Sequence, residues 1–95
     1  MENIQRDTHR YFIADASGRI LAELDYAYIN HDMTYTVDSI FVSPELRGQG
    51  IASQLLDAIV TDAKSEDKTI KAVCPYAKAA FQRYPEKYQE IEYKP

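Results

Sequence analysis

Between Tyr11 and Val42 hydrophobic and polar residues alternate at a spacing of two, and from Ile51 onward the spacing lengthens to three or four. Tyr11 to Ala14 is a short strand-forming run, followed by the turn cluster Ala16-Ser17-Gly18-Arg19. Ile20 to Ile29 predicts a longer strand. On it Ala22, Leu24, Tyr26 and Tyr28 alternate with Leu21, Glu23, Asp25 and Ala27, the pattern of a sheet with one buried face. Asn30-His31-Asp32 reads as the next turn. Met33 to Val42, rich in Thr, Tyr, Val, Ile and Phe, predicts a third strand. Short polar turns between these strands predict an antiparallel meander.

Beyond the third strand, Ile51, Leu55, Ile59 and Ala63 form one row at helical spacing, and Ala52, Leu56 and Val60 form its neighbour. Gln54, Asp57, Thr61 and Asp62 fall on the other side, so an amphipathic helix packed on the sheet is expected. After the polar connection Ser65 to Lys68, Thr69 to Cys74 predicts a fourth strand. Because it follows a crossover helix, it should lie parallel to the third. Pro75 is expected to stop that strand. Tyr76 to about Tyr84 predicts a short helix with Ala77, Ala80, Phe81 and Tyr84 as its apolar positions, ended by Pro85. The tail from Tyr88 to Tyr93 is compatible with a terminal strand or an irregular segment. The expected class is α/β (α+β): a three-strand antiparallel meander, a crossover helix, a parallel fourth strand and a short C-terminal helix.

The junction of strand and helix carries the most chemistry. Val42 runs into Ser43-Pro44-Glu45-Leu46-Arg47-Gly48-Gln49-Gly50-Ile51-Ala52 and then directly into the helix. Gly48 and Gly50 lack the Cβ atoms that would hold a ligand away from the main chain, so successive N–H groups can turn toward an anion. The first helical turn adds unpaired N–H groups and a partial positive charge. Arg47 at the mouth of the turn supplies a planar, permanently charged donor fork suited to phosphate oxygens. An ordinary strand-to-helix connection can also contain Gly-x-Gly. The stretch is neither a Walker loop, lacking Gly-Lys-Ser/Thr, nor a dinucleotide fingerprint, lacking the third glycine in register.

Composition narrows the partners. Ninety-five residues leave room for one domain, 1–95, with a small core, and an apolar share of 45% argues against disorder. A net charge of −4 argues against nucleic acid as the main ligand, because the eleven basic residues are scattered and form no phosphate-neutralising face. The single cysteine, Cys74, excludes an intrachain disulfide, and Met1 to Asp7 contains no apolar signal core. No segment approaches the ~18 apolar residues needed to span a bilayer. A soluble protein of the reducing cytoplasm, without membrane partners, is expected.

The spacing Arg47-x-x-Gly50-x-Ala52 resembles the acyl-CoA pyrophosphate loop of the GNAT acetyltransferases, Gln/Arg-x-x-Gly-x-Gly/Ala. Most of the chain is similar to the central part of that fold. The three-strand lead-in and Cys74-Pro75-Tyr76 look like the small single-domain YjdJ-type group, which includes the animal N-acetyltransferase domain-containing proteins. The resemblance implies acetyl-CoA as co-substrate and an amine, unidentified by the sequence, as acceptor. It implies that Ile40, Phe41 and Val42 offer backbone groups to pantetheine in a gap between the third and fourth strands, and that Arg47, Gly48, Gln49, Gly50, Ile51 and Ala52 hold the pyrophosphate. Two positions depart from the family. Members of the small group often carry His-Thr where Ser39-Ile40 stands. Larger enzymes carry Ala-x-x-x-Tyr-x-x-x-Gly, which laid onto Ala77 places Phe81 at the tyrosine and Pro85 at the glycine. The N-terminal helical pair that walls the acceptor site in full-length GNAT enzymes is missing, and a homodimer is one arrangement that would supply a wall.

Acyl transfer to an amine needs a base, donors for the carbonyl oxygen and an acid for the departing thiolate. Cys74, at the end of the fourth strand, is a candidate to accept the acyl group or touch the CoA sulfur, although a lone cysteine there is most often packing. Tyr76 and Tyr84 are candidate acids in place of the family tyrosine, against the commoner fate of tyrosine as packing. Asp38 and Glu23 are candidate bases, against a solvated outer-face role. His9 and His31 have no partner at metal-ligand spacing, so no metal site is expected. The alternative to an N-acetyltransferase is a non-catalytic acyl-CoA binding or sensing module.

Overall fold

The computed structural model describes residues 3–95, so Met1 and Glu2, part of the segment read for a signal core, lie outside it. Five strands form one mixed sheet in chain order: β1 (Gln5–Asp7), β2 (Arg10–Ala14), β3 (Ile20–Ile29), β4 (Thr34–Val42) and β5 (Thr69–Ala72). The first four pair antiparallel and β5 lies parallel to β4. Three helices follow the meander: α1 (Ile51–Ser65), α2 (Pro75–Arg83) and α3 (Pro85–Tyr88). The meander, the crossover helix and the parallel strand thus stand where the hydrophobic pattern placed them.

Several boundaries differ from the sequence expectation. β1 was not anticipated, because Gln5-Arg6-Asp7 has neither alternation nor β-branched residues. It is held by its pairing with β2 and by Arg6. The Arg6 guanidinium donates to the Tyr26 and Tyr35 hydroxyls, at 3.0 and 2.9 Å, and to Asp62 and Glu66 on α1. The alternation on β3 breaks at Leu21, which is buried beside Ala22. The register steps from Ile13↔Ala22 to Ala14↔Ile20, so Leu21 is the extra residue of a bulge and both neighbours can face inward. The fourth predicted strand ends at Ala72 instead of Cys74. Pro75 occupies the first turn of α2, where its missing N–H costs nothing, and Pro85 ends α2 by starting α3. The tail makes one parallel bridge, Ile70↔Glu92, with the Ile70 N–H donating to the Ile91 carbonyl and the Tyr93 N–H to the Ile70 carbonyl.

The core lies between the sheet and α1. Leu55, Leu56, Ile59, Val60 and Ala63 of α1 meet Tyr11, Ile13, Leu24, Tyr26, Tyr35 and Val37, all buried. Three buried tyrosines keep their hydroxyls satisfied through the network around Arg6: Tyr11 donates to Asp62, Tyr26 to the Asp7 carbonyl and Tyr35 to Glu66. Burial together with the bond to Glu66 pushes Tyr35 up to about 12. The same hydroxyl, with Arg6 behind it, holds the Glu66 carboxyl below its ordinary value of 4.5. A depressed carboxylate contributes stability above its unfolded pKa and loses it as pH falls through the folded value. Melting temperature should therefore drop as pH falls below about 4.5, and Glu66→Gln should flatten that acid limb in thermal melts. An unchanged limb would remove Glu66 from the account.

Candidate functional site

Pairing between the third and fourth predicted strands stops level with a bulge in the third. β3–β4 pairing runs Ala22↔Val42 to Asp25↔Ser39 and resumes at Tyr26↔Val37, leaving Asp38 as an extra residue on β4. A bulge bends its strand and increases the local twist. Parallel pairing with β5 stops at the same place, Val37↔Ala72. The Val73 and Cys74 N–H groups then both donate to the Val37 carbonyl, at 3.0 and 2.9 Å, as the chain leaves the sheet. β4 continues through Asp38–Val42 paired only with β3. Ile40, Phe41 and Val42 therefore lie beside a strand edge that no described strand covers, Phe41 with half its surface exposed.

The loop after β4 enters through a short 3-10 turn, Pro44–Leu46, and Arg47 is extended. Gly48 and Gly50 then adopt φ of +82° and +73°. Gly50 is the N-cap of α1 and supplies no side chain to cap it. The first helical bond is Gln54 N–H to the Gly50 carbonyl, so the N–H groups of Ile51, Ala52 and Ser53 precede the ladder. They are the donors an anion would meet. A Cβ built on Gly48 or Gly50 would touch nothing within 4 Å. The glycines are thus required by the left-handed backbone, and the space beside them is open to a ligand.

A cavity of about 300 Å³ sits over this loop, and Val42, Arg47, Gly48, Gly50, Ile51 and Ala52 line it. Leu46, Ser53 and Tyr76 complete it. The Arg47 guanidinium leans back to the Val42 carbonyl at 3.3 Å. Gln49 does not line the cavity. Its amide reaches toward the Glu45 carbonyl at 3.5 Å, which leaves only its main chain for a ligand. A larger depression of about 400 Å³ lies between α2, β5 and the tail, among Lys71, Lys78, Phe81, Glu92 and Tyr93. Its lining contains no helix N-terminus, so the smaller cavity is the better anion site.

Cys74 is not the end of a strand. It is the N-cap of α2, 5% exposed, and its Sγ accepts the Ala77 N–H at 3.3 Å. Nothing in the one-letter code marks a thiol as a cap, because Ser, Thr, Asn and Asp are the usual choices. Tyr76, the second residue of α2, is 43% exposed and borders the loop cavity. Tyr84 does not border it; it is the C-cap of α2 and lines a separate groove with Arg83.

The carboxylates named as candidate bases occupy different settings. Glu23 stands opposite Phe41 in the β3–β4 register, and the Arg10 guanidinium holds its carboxylate at 3.1 Å. Contact with the Asp25 carboxylate, and partial burial after it, push the Glu23 carboxyl up. Asp25 in turn accepts from the Ser39 hydroxyl at 2.8 Å. Asp38 is exposed at the bulge. The His9 ring meets Tyr28 edge-on at 6.1 Å, and among the described residues no group of three metal-ligating side chains occurs. No helix of the described residues is long and apolar enough to cross a membrane.

Known proteins share this arrangement. The solution structure of a GCN5-like protein from Staphylococcus aureus superposes with a TM-score of 0.78 at 29% identity, over 98% of this chain and 89% of that one. Nourseothricin acetyltransferase matches with a TM-score of 0.57 at 22% identity; 78% of this chain is covered but only 46% of that enzyme. An aminoglycoside N-acetyltransferase crystallised with CoA gives 0.51 at 20% identity, over 94% and 71% of the two chains. The last two share the fold alone. No curated protein matches the sequence. The model of the GCN5-related N-acetyl-transferase family, however, matches residues 10–91, which takes in the sheet from β2 onward, the bulge, the glycine loop and all three helices. On that match the chain belongs to the GCN5-related N-acetyltransferase family.

Proposed function

We propose that this protein, a YjdJ-type member acting in the cytoplasm, binds acetyl-CoA at the glycine loop and passes the acetyl group to an amine. The observation that carries the reading is the uncapped N-terminus of α1 beside an open, Cβ-free cradle, next to a β4 edge without a strand partner. These groups fit the ligand: a pyrophosphate needs clustered N–H donors, and an amide-bearing arm needs a free strand edge. The main chain of Gly48, Gln49, Gly50, Ile51 and Ala52 holds the pyrophosphate with help from Arg47, and Ile40, Phe41 and Val42 line the arm. The thioester supplies an activated carbonyl and a thiolate leaving group. The amine nitrogen forms the new C–N bond as the C–S bond breaks, and one proton must leave nitrogen while one reaches sulfur. Tyr76 is the proposed donor to sulfur, being the tyrosine at the cavity; Tyr84 is a poorer candidate for lying outside it. Cys74 is proposed to shape the site by holding the start of α2, because its Sγ is engaged by the Ala77 N–H.

Calorimetric titration with acetyl-CoA should show saturable binding, and incubation with a panel of primary amines should release CoA thiol. Binding without release for any amine would favour the non-catalytic acyl-CoA module, which no comparison supports, and absence of binding would remove the proposal. Cys74→Ala should keep acetyl-CoA affinity and transfer but cost about 1 kcal/mol of stability as the Ala77 N–H loses its cap. Cys74→Ser should recover most of it. A hydroxylamine-sensitive acetyl group on Cys74, formed at the rate of turnover, would instead make the thiol a covalent carrier.

A further inference from the structure

α2 turns Tyr76, Ala79, Ala80, Arg83 and Tyr84 toward a shallow groove of about 180 Å³. Tyr76 also borders the cavity over the glycine loop, so the two depressions share a residue. Tyr76 and Tyr84 are two of the five large hydrophobic side chains left exposed among the described residues, at 43% and 45%, and Ala79, Ala80 and Arg83 line the groove with them. Arg83 stands beside them with its guanidinium 5.7 Å from the Tyr84 ring centroid, and it forms no salt bridge among the described residues. Every other guanidinium on the described surface except that of Arg47 is tied to a carboxylate.

Exposed aromatic rings offer a stacking platform to a planar base, and a free guanidinium offers a fork to phosphate. The rise along α2 from Tyr76 to Arg83 is about 10 Å, so a ligand anchored by an anion at the loop can reach Arg83 with a second one. We infer that this groove takes the adenosine 3′-phosphate end of CoA, with the base against Tyr84 and the 3′-phosphate on Arg83. The inference rests on the acetyl-CoA reading above and adds an orientation to it: the nucleotide runs outward along α2 while the acyl arm runs inward along β4. Arg83 is thereby a specificity residue for the 3′-phosphate.

Calorimetric titration of the native protein and Arg83→Gln with CoA and with 3′-dephospho-CoA tests this. The native protein should bind CoA about five- to tenfold more tightly than dephospho-CoA, the range expected of one charge-assisted contact. Arg83→Gln should bind both ligands equally, at the native affinity for dephospho-CoA. Tyr84→Ala, checked by circular dichroism, should weaken both ligands about fivefold or more through lost stacking. A preference for CoA that survives in Arg83→Gln, or a native protein that binds both ligands equally, would overturn the groove assignment and leave the acetyl-CoA reading standing. A native protein that binds neither ligand would overturn both.

Discussion

Gly50→Asp is expected to abolish measurable acetyl-CoA binding while leaving the circular dichroism spectrum native. The position is left-handed at φ +73°, where Asp is one of the better-tolerated replacements, and a Cβ there meets nothing within 4 Å. The cost to folding should stay near 1 kcal/mol. The cost to binding has another origin: a carboxylate would sit against the helix N-terminus in the place of the pyrophosphate, taking its donors and repelling its charge. A loss of about 100-fold or more is expected, some 2.7 kcal/mol. Gly50→Ala, which adds the Cβ alone, should lose far less affinity. Arg47→Ala should also be milder, because its guanidinium is exposed and one donor among several. Equal affinity for native protein and Gly50→Asp in calorimetry would detach the loop from CoA altogether.

The second large effect concerns the fold that holds this loop. Leu55 is fully buried on the inner face of α1, one turn beyond the N–H groups proposed to bind phosphate. Leu55→Ala removes packed methyl groups from a core that in a chain of this size has little to spare, and about 3 kcal/mol of destabilisation is expected. For a domain of this length that corresponds to a fall in melting temperature of roughly 15 °C. Below the new transition CoA affinity should change little, since Leu55 does not line the cavity. A shift of only a few degrees would mean that α1 and the sheet are less tightly packed than the burial of Leu55 indicates.

The fold was legible in the sequence wherever periodicity reports burial. Ala22, Leu24 and Tyr26 on β3, and Leu55, Ile59 and Ala63 on α1, each read correctly because a half-buried element must repeat its apolar residues at its own period. What escaped was set by partners remote in sequence. β1 exists because Arg6 is bound by two tyrosines and two carboxylates more than 18 residues away, and local propensity carries no trace of them. The bulges at Leu21 and Asp38 are decided by strand register, which a single strand does not encode. The loop was the most legible part of the candidate site, since its demands fall on consecutive backbone positions and glycine announces them. Cys74 was legible as a residue of interest but not as a helix cap, and the Arg83 groove depends on which face of α2 is left bare. The separation of Tyr76 from Tyr84 likewise follows from how α2 is docked, where spacing alone treated them as equals.

The two outer rows of the sheet are short. On one side lies the three-residue β1, exposed along its length and pinned by Arg6; on the other, β5 is partly shielded by the single bridge between Ile70 and Glu92. The long ladders of β3 and β4 are interior, and the free stretch of β4 from Asp38 to Val42 is bent by its bulge and overhung by the start of α2. A flat run of unpaired amides is the template by which proteins recruit each other's strands into aggregates, and short or kinked borders deny it. The same bend that opens a cleft for a slender, amide-bearing ligand therefore withholds it from a full strand, so the molecule can keep a hydrogen-bonding seam exposed to solvent without offering it to its own copies.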